Sequence, residues 1–381
     1  TLNHRTSDGQ PTPTLTAAED ELLAIANALK AADAGVLQFV SDFNDPEKEA
    51  AMLRRLVEAS GRPLSVSLAQ SDIAPEGWKL LLGAIETARR EGVPMLAQVC
   101  GRPVGVLLGL TLTMNPFSAH PVYQSIADKP LEERLTHLRD PAFREQLLHD
   151  QPDPGNVFAK AVLKRFDRMF LLGDPPNYEP DEDRMLANMA RMKGVSPEAL
   201  ALDLMLENDG KAMLYFPFLN YAQNSLDPSH AMLSSPATIP GLSDGGAHVG
   251  MICDGSFPTS MLTHWTRDRT RGDKLPLEFI IKRQTQDTAR AVGLMDRGIL
   301  APGYRADVNV IDYENLTLHA PEVIYDLPAG GRRLIQYADG YDTTIVRGEI
   351  IRRNGEFTEA RPGRLVRGAQ PAPEPLPIAA E

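Results

Sequence analysis

The sequence predicts an α/β fold followed by a small β-rich segment. Three observations carry this prediction. Helix and strand signals alternate at a spacing of about 30 residues over the first hundred positions, as a βα unit requires. An acid-glycine-glycine-histidine turn follows a short apolar run at 237–242. Beyond residue 298 the pattern changes to short alternating strands closed by Asn-Gly and Arg-Gly turns.

In chain order, Thr16 and Glu19 make a capping box that predicts a helix to about Ala31. Gly35–Val40 reads as a strand, 47–60 as a helix, and Pro63–Leu68 as the next strand. Trp78–Glu91 is helical and stops at Gly92; Pro94–Val99 is the third strand. Residues 104–180 are punctuated by Pro and Asp and predict long loops and helices over one face. A helix restarts at Ser196-Pro197, with Ser196 as cap and Pro197 in the first turn. Ala212–Phe218 is the fourth predicted strand and 237–242 the fifth.

The bulk numbers bound the class. With 381 residues, 43% hydrophobic and 24% charged, the chain can bury a large core. The net charge of −12, without a long Lys/Arg block, argues against nucleic acid or an anionic membrane as partner. No apolar run approaches the ~20 residues that span a bilayer. The two cysteines, Cys100 and Cys253, are too few for a metal knuckle or disulfide framework and fit a reducing cytoplasm. No phosphate loop or dinucleotide fingerprint is present.

Ser243-Asp244-Gly245-Gly246-Ala247-His248 is the most informative stretch. A strand would deliver Asp244 to the carboxyl end of a sheet or barrel, where the glycines let substrate approach. There a carboxylate can bind a metal or move a proton; a plain Asp-Gly turn with a surface histidine is the alternative. His248 lies on the same turn. His264, in Thr263-His264-Trp265-Thr266-Arg267, is placed on a helix over the same mouth.

Further on, Gly298-Ile299-Leu300-Ala301-Pro302-Gly303-Tyr304-Arg305-Ala306-Asp307 leads into the β-rich segment, after a helix over Lys282–Leu294 that carries Thr285 and Ala289. The order and spacing of the aspartate turn, this helix, the Pro-Gly segment and the closing hairpin at 344–351 resemble the amidohydrolase superfamily. The resemblance is nearest to the N-acyl-D-amino-acid deacylase (D-aminoacylase) branch and firmest over 238–357. Thr1–Gly9 also looks like a segment of that branch.

The resemblance implies a (β/α) TIM-like barrel, incomplete at the N-terminus, over 1–297 with a loop-rich insertion around 104–195. It also implies the C-terminal part of a β-sandwich over 298–361, and a Pro-rich tail follows at 362–381. A closed barrel has eight strands, whereas about five are legible, and no His-x-His pair exists. The expectation is therefore a chain lacking about three barrel strands and part of the sandwich. The family also places histidines on its fifth and sixth strands; here the candidate strand ends carry Gln70 and Gln98, poor zinc ligands.

The implied reaction is hydrolysis of a linear amide, an N-acyl-D-amino acid, by metal-assisted water attack with Asp244 as acid and base. Zinc is the implied cofactor, with Asp244, His248 and His4 as candidate ligands. Arg5, Arg102, Asn220, Tyr221 and His264 are candidate substrate contacts, the arginines for a substrate carboxylate. The partner would be a small N-acyl amino acid or related amide, with a homo-oligomer as an open possibility. Another amide or cyclic-amide hydrolase of the same superfamily, and a truncated or non-catalytic chain, are the alternatives.

Overall fold

Three helix-strand repeats open the chain in the computed structural model, which describes residues 6, 10–12, 17–41, 45–152, 162–243 and 245–374. Helix α1 (Glu19–Ala32) leads to β1 (Leu37–Phe39), α2 (Pro46–Ser60) to β2 (Leu64–Leu68), and α3 (Gly77–Arg90) to β3 (Met95–Val99). Helix α2 starts where Asp45 accepts the Lys48 amide at 3.2 Å with Pro46 in the first turn. It buries Leu53, Leu56 and Val57, and α3 buries Leu81, Leu82, Ile85 and Ala88, the spacing that puts one stripe on a sheet. The cap expected at Thr16 lies outside the described residues; α1 starts after Ala18, which has no side-chain acceptor to offer.

The strands pair in parallel, Leu37 opposite Leu64 and Val66 opposite Ala97. Two short segments then leave this sheet. Strand β4 (Val104–Leu108), expected as loop, pairs antiparallel with β6 (Leu214–Leu219), and β5 (Phe170–Leu171) takes the other edge of β6. The run at 212–218, expected as a barrel strand, thus belongs to a separate antiparallel sheet. An apolar run of this length is equally suited to either setting, and only its neighbours decide. The intervening residues do not simply drape over a barrel face. Val106, Leu108, Phe117, Leu138, Leu186 and Leu200 form a hydrophobic core of their own with β6. The helix at Pro197–Gly210 keeps its expected cap, Ser196 Oγ accepting the Ala199 amide at 3.1 Å.

Strand β7 (Thr238–Pro240) returns to the parallel sheet, giving the order β1-β2-β3-β7. Among the described residues this sheet stays open at four strands, so the barrel expectation holds only as a parallel α/β sheet. The helix expected over 282–294 begins earlier, at Leu277, and continues through a wide turn to Ala291. Gly298, first residue of the Pro-Gly motif, has φ +83°, and a Cβ there would lie 2.8 Å from the Thr285 carbonyl oxygen. Only glycine lets the chain pass this close to the helix end.

The rest is β-structure: β8 (Val308–Ile311), β9 (Thr317–Leu318), β10 (Glu322–Leu327), β11 (Gly331–Ile335), β12 (Ala338–Asp339), β13 (Tyr341–Val346), β14 (Glu349–Arg353) and β15 (Glu356–Phe357). Strands β15-β14-β13-β8 form one sheet; β9 pairs with β12, and β10 with β11. The expected hairpin is present, with Arg347 (φ +52°) and Gly348 (φ +82°) in its turn, and Asn354 and Gly355 make the second turn the same way. Burial of the alternating residues is only partial, Val310 remaining 46% exposed. The Pro-rich tail runs back along the surface, where Gln370 exchanges backbone hydrogen bonds with Gly293 and Met295. Among the described residues no helix is long and apolar enough to cross a membrane.

Candidate active site

Parallel strands bring their carboxyl ends to one edge, and in open α/β sheets that edge is where ligands bind. Gly241, just past β7, donates its amide to the Val99 carbonyl at 2.9 Å, and a Cβ on it would meet the Gln98 Cβ at 3.2 Å. Ser243 Oγ donates to the Asp254 carbonyl at 2.5 Å. The first arm of the turn is therefore pinned to β3. Asp244, His4 and Arg5 lie outside the described residues. His248 has φ +48°, its carbonyl accepts the amides of Met251 and Ile252 at 2.8 and 3.0 Å, and its side chain is exposed.

The ends of β2 and β3 carry amides that are already engaged. Gln70 Oε1 accepts from the Ala222 amide at 3.1 Å and its Nε2 donates to the Pro75 carbonyl at 3.3 Å; Gln98 Nε2 donates to Ser65 Oγ at 2.9 Å. Cys100 is buried and directs its thiol to the Leu242 carbonyl at 3.5 Å. Among the described residues, no group of three or more His, Cys, Asp or Glu is placed to hold a metal ion. The described donors do not fit zinc, which favours imidazole and thiolate over amide oxygen. A metal site in this chain would have to draw on residues outside the described ones, among which Asp244 and His4 are the candidates.

Arg102 and His264 meet at one cleft of about 350 Å³, which none of the described residues of the 243–250 turn lines. Arg102 is buried. Its guanidinium donates to Ser256 Oγ (2.9 Å), Ser260 Oγ (3.2 Å), the Cys253 carbonyl (2.7 Å) and Asp254 Oδ1 (3.3 Å), and stacks between the rings of Tyr178 and Phe257 at 4.0 and 4.4 Å. That environment makes it a clamp on the segment after the turn. Arg102→Ala is expected to cost about 3–5 kcal/mol of stability, because it strips buried Asp254 of a cationic partner. Arg102→Lys should recover little, since an ammonium cannot reproduce the planar fork. Urea denaturation measures both, and a loss below about 1 kcal/mol for the alanine variant would contradict the clamp.

His264 Nε2 sits 3.1 Å from Glu179 Oε2. Glu179 also receives Arg269 Nε at 3.0 Å, Arg269 Nη2 at 3.1 Å and the Leu226 amide at 2.8 Å. Burial pushes the Glu179 carboxyl up, but the hydrogen bonds from His264, Arg269 and Leu226 outweigh it and hold the group at about 2. Arg269 in turn reaches Asp227 Oδ1 at 2.7 Å and the Asp273 carbonyl at 2.8 Å. Tyr221 is buried, donating to the Pro180 carbonyl at 3.0 Å and accepting from Arg271 Nη1 at 3.1 Å; burial pushes its phenol well above the usual range. Asn220 (φ +61°) exchanges two hydrogen bonds with the Gln70 backbone, 2.7 and 2.9 Å, and so stitches the end of β6 to the end of β2.

Sequence reasoning missed Glu179 and Arg269. The available signal was the alternation Arg267, Arg269, Arg271 on one segment, which calls for carboxylate partners elsewhere in the chain.

Known proteins resemble this chain in sequence and in fold. A deaminase of 5-methylthioadenosine and S-adenosylhomocysteine from Desulfitobacterium hafniense is 30% identical over 129 residues, 31% of this chain and 28% of that protein. Among solved structures, a D-aminoacylase studied for its binuclear metal centre superposes with a TM-score of 0.50 at 18% identity, covering 92% of this chain and 59% of that one. A second D-aminoacylase structure gives 0.47 at 17%. The chain thus spans little over half of the D-aminoacylase and under a third of the deaminase. At these identities the structural likeness concerns the fold. The amidohydrolase family model, by contrast, matches residues 1–352, most of the chain, and the protein belongs to the amidohydrolase family.

Proposed function

We propose that this chain is a hydrolase of non-peptide carbon–nitrogen bonds that cleaves a linear amide, with N-acyl-D-amino acids as its substrate class. Family membership supports the reaction class, and the fold shared with D-aminoacylase supports the branch. The observation that carries the reading is the turn after β7. It leaves the carboxyl edge of the parallel sheet with its first arm bonded to β3 and residues 245–248 exposed to solvent, the setting in which a carboxylate at 244 meets both substrate and water.

Asp244 takes a proton from the attacking water as its oxygen bonds to the acyl carbon. The same carboxyl returns the proton to the nitrogen as the carbon–nitrogen bond breaks, giving a carboxylic acid and an amine. Zinc is the cofactor in this reading, with Asp244, His248 and His4 as its candidate ligands; when bound, it would polarise the acyl carbonyl. Arg5 is the candidate for a substrate carboxylate, since Arg102 is occupied. A chain with two cysteines suits a cytoplasmic setting.

A non-catalytic chain is the second reading, favoured by the engaged amides of Gln70 and Gln98. The experiment that separates the two measures metal by plasma mass spectrometry on the desalted protein, then amine release from N-acetyl-D- and N-acetyl-L-amino acids and from a cyclic amide. About one zinc per chain and amine release preferring the D series are expected. No release from any substrate, with zinc added, would reject the hydrolase reading.

A further inference from the structure

Residues 245–248 are exposed, so burial of their own side chains does little to set the shape of this turn and its neighbours weigh heavily. Two neighbours hold its far arm. Leu334 on β11 donates its amide to the Val249 carbonyl at 2.8 Å, and Thr113, in the loop after β4, donates to the Gly250 carbonyl at 3.1 Å. A third bond ties these two neighbours together: Arg332, also on β11, donates from Nη1 to the Thr111 carbonyl at 2.9 Å. The β10–β11 arm, the 109–114 loop and the turn therefore form a closed triangle of contacts. Gly250 is the tight corner, since a Cβ there would collide with Thr113 Oγ1.

The arm is lightly packed elsewhere. Tyr325 is 69% exposed and Leu327 38%, whereas Leu334 is buried and joins the main core. Strands β9 and β12 pair as a neck at its base. Of the three bonds closing the triangle, only that of Arg332 comes from a side chain, so it alone depends on residue identity.

We propose that Arg332 is a positioning residue: it fastens the β10–β11 arm to the 109–114 loop and thereby holds the turn that carries Asp244 and His248 in working geometry. This rests on reading Asp244 as the acid/base. Without the Arg332 bond the two supports of the turn separate independently, and the carbonyls of Val249 and Gly250 lose a fixed frame.

The test is amide hydrogen exchange on the whole chain, comparing wild type, Arg332→Ala and Arg332→Lys. The alanine variant is expected to exchange about tenfold faster at Leu334, Thr113, Met251 and Ile252, the factor that loss of one net hydrogen bond produces in a local opening. The core of α2 should be unchanged, and lysine, which can reach the same carbonyl, should restore slow exchange. Unchanged exchange at those four amides, an equal rise in α2, or failure of lysine to rescue would each overturn the proposal. In amide hydrolysis the alanine variant should lower kcat with KM little changed, and a raised KM at constant kcat would also overturn it. If the exchange pattern appears while the wild type hydrolyses no amide, the fastening is upheld and it is the Asp244 reading that fails.

Discussion

Asp244→Asn is expected to lower amide hydrolysis by about 10²–10⁴-fold, the range associated with removing a positioned general acid/base. Asparagine keeps the shape of the side chain but can neither take the proton of the attacking water nor return one to the leaving nitrogen. The loss should fall on kcat, because proton transfer is a demand of the transition state and not of substrate binding. Stability should change by no more than about 0.5 kcal/mol, since asparagine matches aspartate in size and shape. Steady-state kinetics on the best substrate decides it. A variant that keeps wild-type kcat would remove Asp244 from the chemistry and leave the turn a structural one.

Glu179→Gln should destabilise the fold by about 3–5 kcal/mol, the cost of breaking a buried ion pair by removing one partner. The carboxylate is buried and meets His264, Arg269 and the Leu226 amide at once. Glutamine offers one acceptor oxygen in place of two and turns an NH₂ toward the buried Arg269 guanidinium. The companion change Glu179→Gln with Arg269→Met should be less harmful than Glu179→Gln alone, because the buried guanidinium, left with the exposed Asp227 as its remaining carboxylate partner, is then removed as well.

The same network sets an acid limit. The folded carboxyl titrates at about 2, below the 4.5 of a free glutamate, so its stabilisation is fully present above about 4.5. It is lost as pH falls from there toward about 2, where both states become protonated. Wild-type stability should therefore drop through this window, and the glutamine variant should show a shallower slope. Equal slopes in the two proteins would show that other carboxylates govern acid unfolding.

Much of the secondary structure was legible because its causes are local. Asp45 and Ser196 cap helices through hydrogen bonds within three residues, and the Arg347-Gly348 and Asn354-Gly355 turns fix their hairpins by backbone conformation alone. The strands at 64–68 and 95–99 follow from apolar runs between helices of matching length. The site was legible only as a position. Asp-Gly-Gly-Ala-His marked a candidate turn, of which the structure shows Gly241 and Ser243 tied beside β3 and 245–248 exposed, whereas Arg102, an apparent loop arginine free to bind a carboxylate, is buried and spent on Asp254 and three other acceptors.

By itself, then, the sequence determined the alternating α/β elements, the turn at 243–250, the closing hairpins and, through its motif order, the family. Tertiary structure alone decided that 214–219 joins an antiparallel sheet, that His264 and Arg269 converge on Glu179, and that Arg332 reaches Thr111. The reason lies in range. Caps and turns are settled by neighbours a few residues away, whereas Arg269 and Glu179 are 90 residues apart and Arg332 and Thr111 are 221 apart, so the partner of each charge is chosen only when distant segments pack together.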